Sequence, residues 1–287
     1  MDVRHHDDAA TFLDRAGDFL LGREAEHNQL GGVAAELLRR LDYYGGAPPY
    51  LATVEDGGAV VAAAVRTPPR SLLLSAPARP AALDALAADL HGRRIRLPAV
   101  VAPAPLGQRF AAIWSRLTGQ PIGAILAERI YRLDRVLPPA PVPGALRRAT
   151  AADRPLLLEW IGAFHAEARD VADPGETARG VDARLASEYG TFYLWEDGQP
   201  VSLAASGGPT PHGIRIGPVY TPPALRGRGY ASACVAAVSQ AMLDGGLRFC
   251  FLFADLANPT VNRIYPAIGF APVGNAEEVA FDPAAGT

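Results

Sequence analysis

The chain has 287 residues, a formal net charge of −3 and 49% hydrophobic residues. That length suits one large or two modest domains with a substantial core, and the small net charge argues against a basic surface for nucleic acid or anionic membrane. All 27 basic residues are arginine, which excludes Schiff-base chemistry on a lysine and a Walker-type phosphate loop.

The first residues, Met1 to Asp18, are acidic and interrupted by histidine, so they do not read as a secretory signal. The longest apolar runs, such as Ala59 to Val65, are too short for a bilayer, and a cytoplasmic protein is expected. His5-His6-Asp7-Asp8 carries metal-ligand types, but at a chain end it reads as a mobile tail, and no metal is expected. Helices are expected near Asp8–Leu21 and Leu30–Leu41, followed by strands near Tyr50–Val54, Ala59–Val65 and Ser71–Ser75. A helix (Ala81–Leu90), a strand (Leu97–Ala102), a helix (Leu106–Leu117) and a strand (Ala124–Leu133) complete the first half.

Leu137-Pro-Pro-Ala-Pro-Val-Pro-Gly144 reads as an extended linker, since proline resists helix and sheet alike. It divides the chain into residues 1–136 and 145–287. Beyond it come a strand (Leu146–Ala149), a helix capped by Thr150, a helix near Thr177–Tyr189, and strands near Thr191–Glu196, Pro200–Ala205 and Gly213–Thr221. A helix (Gly229–Asp244), a strand (Leu247–Ala254), a short helix (Asn258–Ala267) and a strand after Phe270 close the chain. Cys234 falls in a helix and Cys250 in a strand, so both read as buried inert thiols.

The halves echo each other. A shift of 141 places Glu55-Asp-Gly57 on Glu196-Asp-Gly198 and Val60, Ala63, Ala64 and Pro68 on Val201, Ala204, Ala205 and Pro209. Asp-Gly between apolar runs is a hairpin signal, so each half carries the same hairpin.

The most informative stretch is Ile216 to Ala231. Gly217-Pro218 interrupts a good strand and predicts a bulge or splay that frees backbone groups for a ligand. Arg226-Gly-Arg-Gly-Tyr-Ala231 then opens a helix. Its glycines permit left-handed backbone and close approach of an anion, and the helix start adds positive potential. The loop only partly mimics a dinucleotide fingerprint, because the third glycine and the later acidic residue are missing.

With Asn258, Tyr265 and Gly269-Phe270 downstream, the second half resembles the GCN5-related N-acetyltransferase (GNAT) superfamily. Arg226, Gly229 and Ala231 fit its Arg/Gln-x-x-Gly-x-Gly/Ala signature. The resemblance covers roughly residues 144–287, and the first half is similar in element order only. It implies an α/β fold, a mixed sheet with flanking helices, as two tandem acyl-CoA N-acyltransferase (GNAT-like) domains. It also implies acetyl-CoA as co-substrate: Val219, Tyr220 and Thr221 along the pantetheine arm, Arg226, Gly227, Arg228, Gly229, Tyr230, Ala231 and Ser232 around the pyrophosphate, and Asn258 reaching the pantetheine. Asn258-Pro259 also reads as an ordinary helix start.

By the same resemblance, Tyr265 is the general acid that protonates the departing thiolate, against the reading of a packed core tyrosine. The general base stays open among Glu196, Glu159, Glu167, His165 and Asp255, with Asp255 the candidate carried forward. The first half lacks a glycine loop after Ser71-Leu-Leu-Leu-Ser75 and reads as a degenerate copy. The expected activity is acetyl transfer to a primary amine on a small acceptor, by direct attack. The alternatives are a non-catalytic acyl-CoA sensor and a transferase for a longer acyl group. Neither nucleic acid nor membrane is expected as a partner, and monomer and homodimer both remain open.

Overall fold

The computed structural model describes residues 1–39, 47–168, 173–187 and 190–282. Its first elements are β1 (Asp2–His5), α1 (Ala9–Leu21), α2 (Glu24–Arg39), β2 (Tyr50–Asp56), β3 (Ala59–Arg66), β4 (Leu72–Leu74), α3 (Ala81–Gly92), β5 (Ala99–Pro103), α4 (Leu106–Thr118) and β6 (Ile122–Leu133). There follow β7 (Ala145–Arg148), α5 (Arg154–Glu167), α6 (Pro174–Leu185), β8 (Phe192–Glu196), β9 (Pro200–Gly207), β10 (Gly213–Tyr220), α7 (Tyr230–Asp244), β11 (Phe249–Asp255), α8 (Val261–Ala267) and β12 (Ala271–Phe281). The expected helix ends at Leu41 and Tyr189 lie outside the described residues.

The chain forms two compact units, each a mixed sheet with helices on its faces. The first comprises Met1–Ile130, Ala254–Asn258 and Pro272–Thr287, and the second Tyr131–Phe253 and Pro259–Ala271. The first sheet therefore recruits the last strand of the chain. β12 pairs antiparallel with β5, from Ala276↔Pro103 to Ala280↔Ala99.

Alternation along β3 builds two cores in the first unit. Ala62 and Ala64 join the cluster of Leu86, Phe110, Trp114, Val279 and Phe281, whereas Ala63 and Val65 join that of Phe12, Leu30 and Leu37. The Asp-Gly hairpin is present as predicted: Gly57 and Gly58 turn at φ +59° and +82° between β2 and β3. Asp8 caps α1, accepting from the Thr11 N–H at 2.8 Å.

Two expectations are corrected here. The supposed tail is strand β1, paired with β2 from Asp2↔Glu55 to His5↔Ala52. Side-chain partners fix it: His5 Nε2 lies 3.0 Å from Asp89 Oδ1, and His6 Nε2 lies 3.0 Å from Thr53 Oγ1. Helix α2 begins at Glu24 instead of Leu30, because its first turns are buried through polar residues, His27 and Asn28, that carry no apolar periodicity.

In the second unit, α5 and α6 cover one face, where Leu157, Trp160 and Val181 pack on Phe192, Leu203 and Tyr220. The helix α7 packs against β8, β9 and β10 and buries Cys234, Val235 and Val238. Thr150 and Asp153 form the predicted capping box before α5. Arg147 ties this corner together: it donates to Asp153 at 2.8 Å and to the Glu196 carboxylate. No helix among the described residues is long and apolar enough to cross a membrane.

Removing β12 should unravel the first unit. Val279 and Phe281 are buried, and their exposure alone costs about 3–6 kcal/mol. A chain ending at Ala271 is expected to lose cooperative unfolding of residues 1–130, read by hydrogen exchange. A second expectation concerns acid. Burial lowers His27 from 6.5 to about 4, so the unfolded chain takes up a proton that the folded chain refuses. Stability is full above about pH 6.5 and falls toward pH 4. Urea unfolding at pH 5 should show about 2 kcal/mol less stability from this group than at pH 7.5, and His27→Gln should lack that difference.

Candidate active site

Strand β10 starts as a regular member of its sheet and then leaves one neighbour. It pairs in parallel with β11 at Gly213↔Phe249, Ile214↔Cys250 and Arg215↔Phe251, and that pairing stops there. On its other side the register with β9 shifts between Ile216↔Ser206 and Val219↔Ala204. Three steps on β10 oppose two on β9, so one extra residue is accommodated at Gly217-Pro218, the predicted bulge. Val219 and Tyr220 thus stay paired to β9 while no longer paired to β11. Behind them, the Ser202 hydroxyl lies 2.8 Å from Thr221 Oγ1 and 3.3 Å from the Tyr220 carbonyl oxygen. Ser202 is a buried polar residue in a mostly apolar strand, and a serine within such a run is the sequence signal that marks it.

The chain then turns through Gly227 (φ +77°) and Gly229 (φ +84°) into α7. Gly229 is the N-cap of this 15-residue helix and has no side-chain oxygen to give. The first intrahelical bond is Ala233 N–H to the Gly229 carbonyl at 3.0 Å. The N–H groups of Tyr230, Ala231 and Ser232 therefore lack a helical acceptor. They form, with the helix dipole, a donor cluster for an anion. A Cβ on Gly229 would lie 2.9 Å from Val142 Cγ1, so the proline-rich segment packs directly against this turn. That segment is held by the Trp195 indole N–H, which donates to the Pro143 carbonyl at 2.8 Å.

Side chains brace the loop. The Arg226 Nε–H donates to the Thr221 carbonyl at 2.9 Å, and Nη2 donates to both oxygens of Glu167 at 2.6 and 2.8 Å. The guanidinium also lies 5.8 Å from the Tyr220 ring centroid. Arg228 is exposed. The Tyr230 hydroxyl turns inward and donates to Asp197 at 2.7 Å, a bond that raises its pKa and ties α7 to the β8–β9 hairpin. Of residues 226–232, Arg226, Gly227, Arg228 and Gly229 are exposed, while Tyr230 is buried.

Tyr265 sits in α8, 8% exposed, edge-on to Tyr131 (6.2 Å) and Phe270 (5.9 Å). Its hydroxyl has no hydrogen-bond partner among the described residues. Burial, and secondarily Tyr131, pushes its pKa up to about 12, so it keeps its proton at neutral pH. Gly269, at φ +106°, lets the chain pass the Arg135 carbonyl, which a Cβ would approach to 2.5 Å.

A family model described as the acetyltransferase (GNAT) family matches residues 156–270. Residues 156–270 are a GNAT-family domain. Solved structures share the fold of nearly the whole chain. A GNAT-family protein from Novosphingobium aromaticivorans is 22% identical with TM-score 0.53, covering 90% of this chain and 97% of that one. One from Sphaerobacter thermophilus is 17% identical with TM-score 0.62, covering 98% and 95%. A tandem GNAT protein from the clavulanic acid biosynthesis pathway is 14% identical with TM-score 0.59, covering 98% and 99%. At these identities the likeness is one of fold, and no curated protein matches the chain.

Among the expected bases of the GNAT domain, Glu196 is committed to Arg147 and Glu167 to Arg226. Glu159 is exposed on α5, and His165 lies beside Phe164 at 5.7 Å. Asp255 and Asn258 group with the first compact unit. The Asp255 carboxylate accepts from the Ala257 N–H at 2.8 Å, and its carbonyl accepts from the Asn258 N–H at 3.1 Å. This turn keeps Asn258 out of the helix, so α8 begins at Val261 and Asn258 is not its cap.

Gly229→Ala tests the donor cluster. A left-handed alanine costs about 1–2 kcal/mol, and its Cβ also meets Val142. Calorimetry should show coenzyme A binding weakened at least about tenfold, with circular dichroism still reporting a folded chain.

Proposed function

We propose that the second unit transfers an acetyl group from acetyl-CoA to the primary amine of a small acceptor by direct attack. The observation that supports it most is the uncapped start of α7, where a glycine replaces a capping side chain and leaves a row of N–H donors beside Arg226 and Arg228. Those donors suit a pyrophosphate. The edge of β10 beyond Arg215 suits an extended amide-bearing arm, bound as one strand binds another.

When bound, acetyl-CoA supplies an activated acyl carbon as a thioester. The protein's part is to hold, polarise and move protons. A backbone N–H in Val219–Thr221 donates to the thioester oxygen, whose charge grows as the amine nitrogen adds. The N–C bond forms and the C–S bond breaks, and Tyr265 delivers its hydroxyl proton to the sulfur. A general base takes the proton that the amine gives up. A phenol held neutral by burial is a donor at every working pH, which suits this role.

Thiol release over a panel of primary amines tests the reading. The protein contributes little background, because burial pushes both Cys234 and Cys250 up to about 12. Tyr265→Phe should lower kcat by about 10²–10⁴ with coenzyme A affinity unchanged within about twofold, since no hydrogen bond is lost. The alkaline limb of kcat should not move in this variant, because Tyr265 does not titrate there. Full turnover by Tyr265→Phe would remove the general-acid role, and no release with any amine would remove the transferase reading.

A further inference from the structure

The first unit repeats the geometry of the second up to the point where a cofactor would bind. β4 pairs antiparallel with β3 (Ala64↔Leu74) and in parallel with β5, at Leu72↔Val100 and Leu73↔Val101, after which the parallel pairing stops. This is the counterpart of β10 leaving β11. The Ser75 N–H still donates to the Ala63 carbonyl at 2.9 Å. The next N–H is that of Ala76, two residues beyond the end of β4. The hairpin shift of 141 carries Ala63 onto Ala204, which pairs with Val219, so Ser75, bonded to Ala63, corresponds to Val219, and Ala76 follows it as Tyr220 follows Val219.

That N–H is not open. It donates to Nε2 of His27 at 3.0 Å. The imidazole Nδ1 lies 3.1 Å from the Leu20 carbonyl oxygen, and the ring stacks on Phe19 at 5.8 Å. A carbonyl only accepts and an amide N–H only donates, so the ring is neutral with its proton on Nδ1. His27 is 3% exposed. The second feature of the acyl-CoA site is closed as well. After Ala76 the chain runs Pro-Ala-Arg-Pro into α3, whose first turn is satisfied by Ala82 N–H to Arg79 (3.0 Å) and Leu83 N–H to Pro80 (3.1 Å).

We propose that the His27 side chain is an internal partner at the first unit's counterpart of the β10 edge, taking the backbone donor that would otherwise meet an acyl-CoA carbonyl, so that the chain binds one acyl-CoA. The count of one rests on the proposed function of the second unit; the occupancy by His27 does not. The sharper consequence is that deleting the imidazole creates a site for a five-membered ring that accepts one hydrogen bond and donates another.

The test uses the full chain with His27→Gly. Its thermal midpoint should fall, and imidazole at tens of millimolar should raise it by about 2–4 °C, while leaving the wild type unmoved. Pyrrole, similar in shape but without an acceptor nitrogen, should not. Should the glycine variant fail to fold, His27→Gln serves, since its amide oxygen can accept from Ala76. It should keep the Ala76 amide within about threefold of wild-type exchange protection, whereas His27→Ala loses at least about tenfold. Coenzyme A calorimetry on the wild type should give one site. Two sites overturn the proposal, as does an Ala76 amide indifferent to His27→Ala, or a folded glycine variant that answers equally to pyrrole. A wild-type chain that takes up no coenzyme A while the glycine variant still answers to imidazole overturns the acyl-CoA reading and upholds the occupancy.

Discussion

A helix start leaves several peptide N–H groups without internal acceptors, and they must be met by a capping side chain, by solvent or by a ligand. At α7 the sequence declines the first option. Gly229 supplies the left-handed turn but no oxygen, and the helix behind it is anchored by other means, through Tyr230 to Asp197 and through its buried face. The donors thus have no side-chain cap. The rest of the second unit follows from serving that opening: a strand that parts from its neighbour at Arg215, a bulge at Gly217-Pro218, and an arginine tethered by Glu167.

The two units show the same backbone device in opposite states. In the second, β10 parts from β11 beyond Arg215 and the start of α7 has no side-chain cap. In the first, a histidine side chain and a tight proline turn meet the equivalent donors. A buried N–H without a partner costs about 1–3 kcal/mol, so a copy that no longer meets a ligand gains from an internal one. A ligand-binding copy instead keeps donors that water can reach.

Much of this was legible in the sequence because it is written in local chemistry. Asp-Gly fixed both hairpins, Gly-Pro marked the bulge, and the glycine loop announced the helix start. What stayed hidden was carried by long-range pairing. β1 reads as a polar tail until Asp89 and Thr53 are brought to its histidines. The start of α2 has no apolar stripe, because His27 and Asn28 are its buried residues. Glu196 resembled a free carboxylate until Arg147 was placed beside it. Asn258-Pro259 looked like a cap until Asp255 closed the preceding turn. Each case turns on a polar partner distant in sequence or on a competing local turn, and periodicity is blind to both.

The position of β12 also orders events at the ribosome. Domains usually fold in the order in which they are synthesised. Here the second unit has all its residues once Ala271 has emerged, but the first still lacks Pro272–Phe281, its inner strand beside β5. The half translated first is therefore completed only after the second unit has all its residues, and until β12 emerges its sheet lacks the strand beside β5.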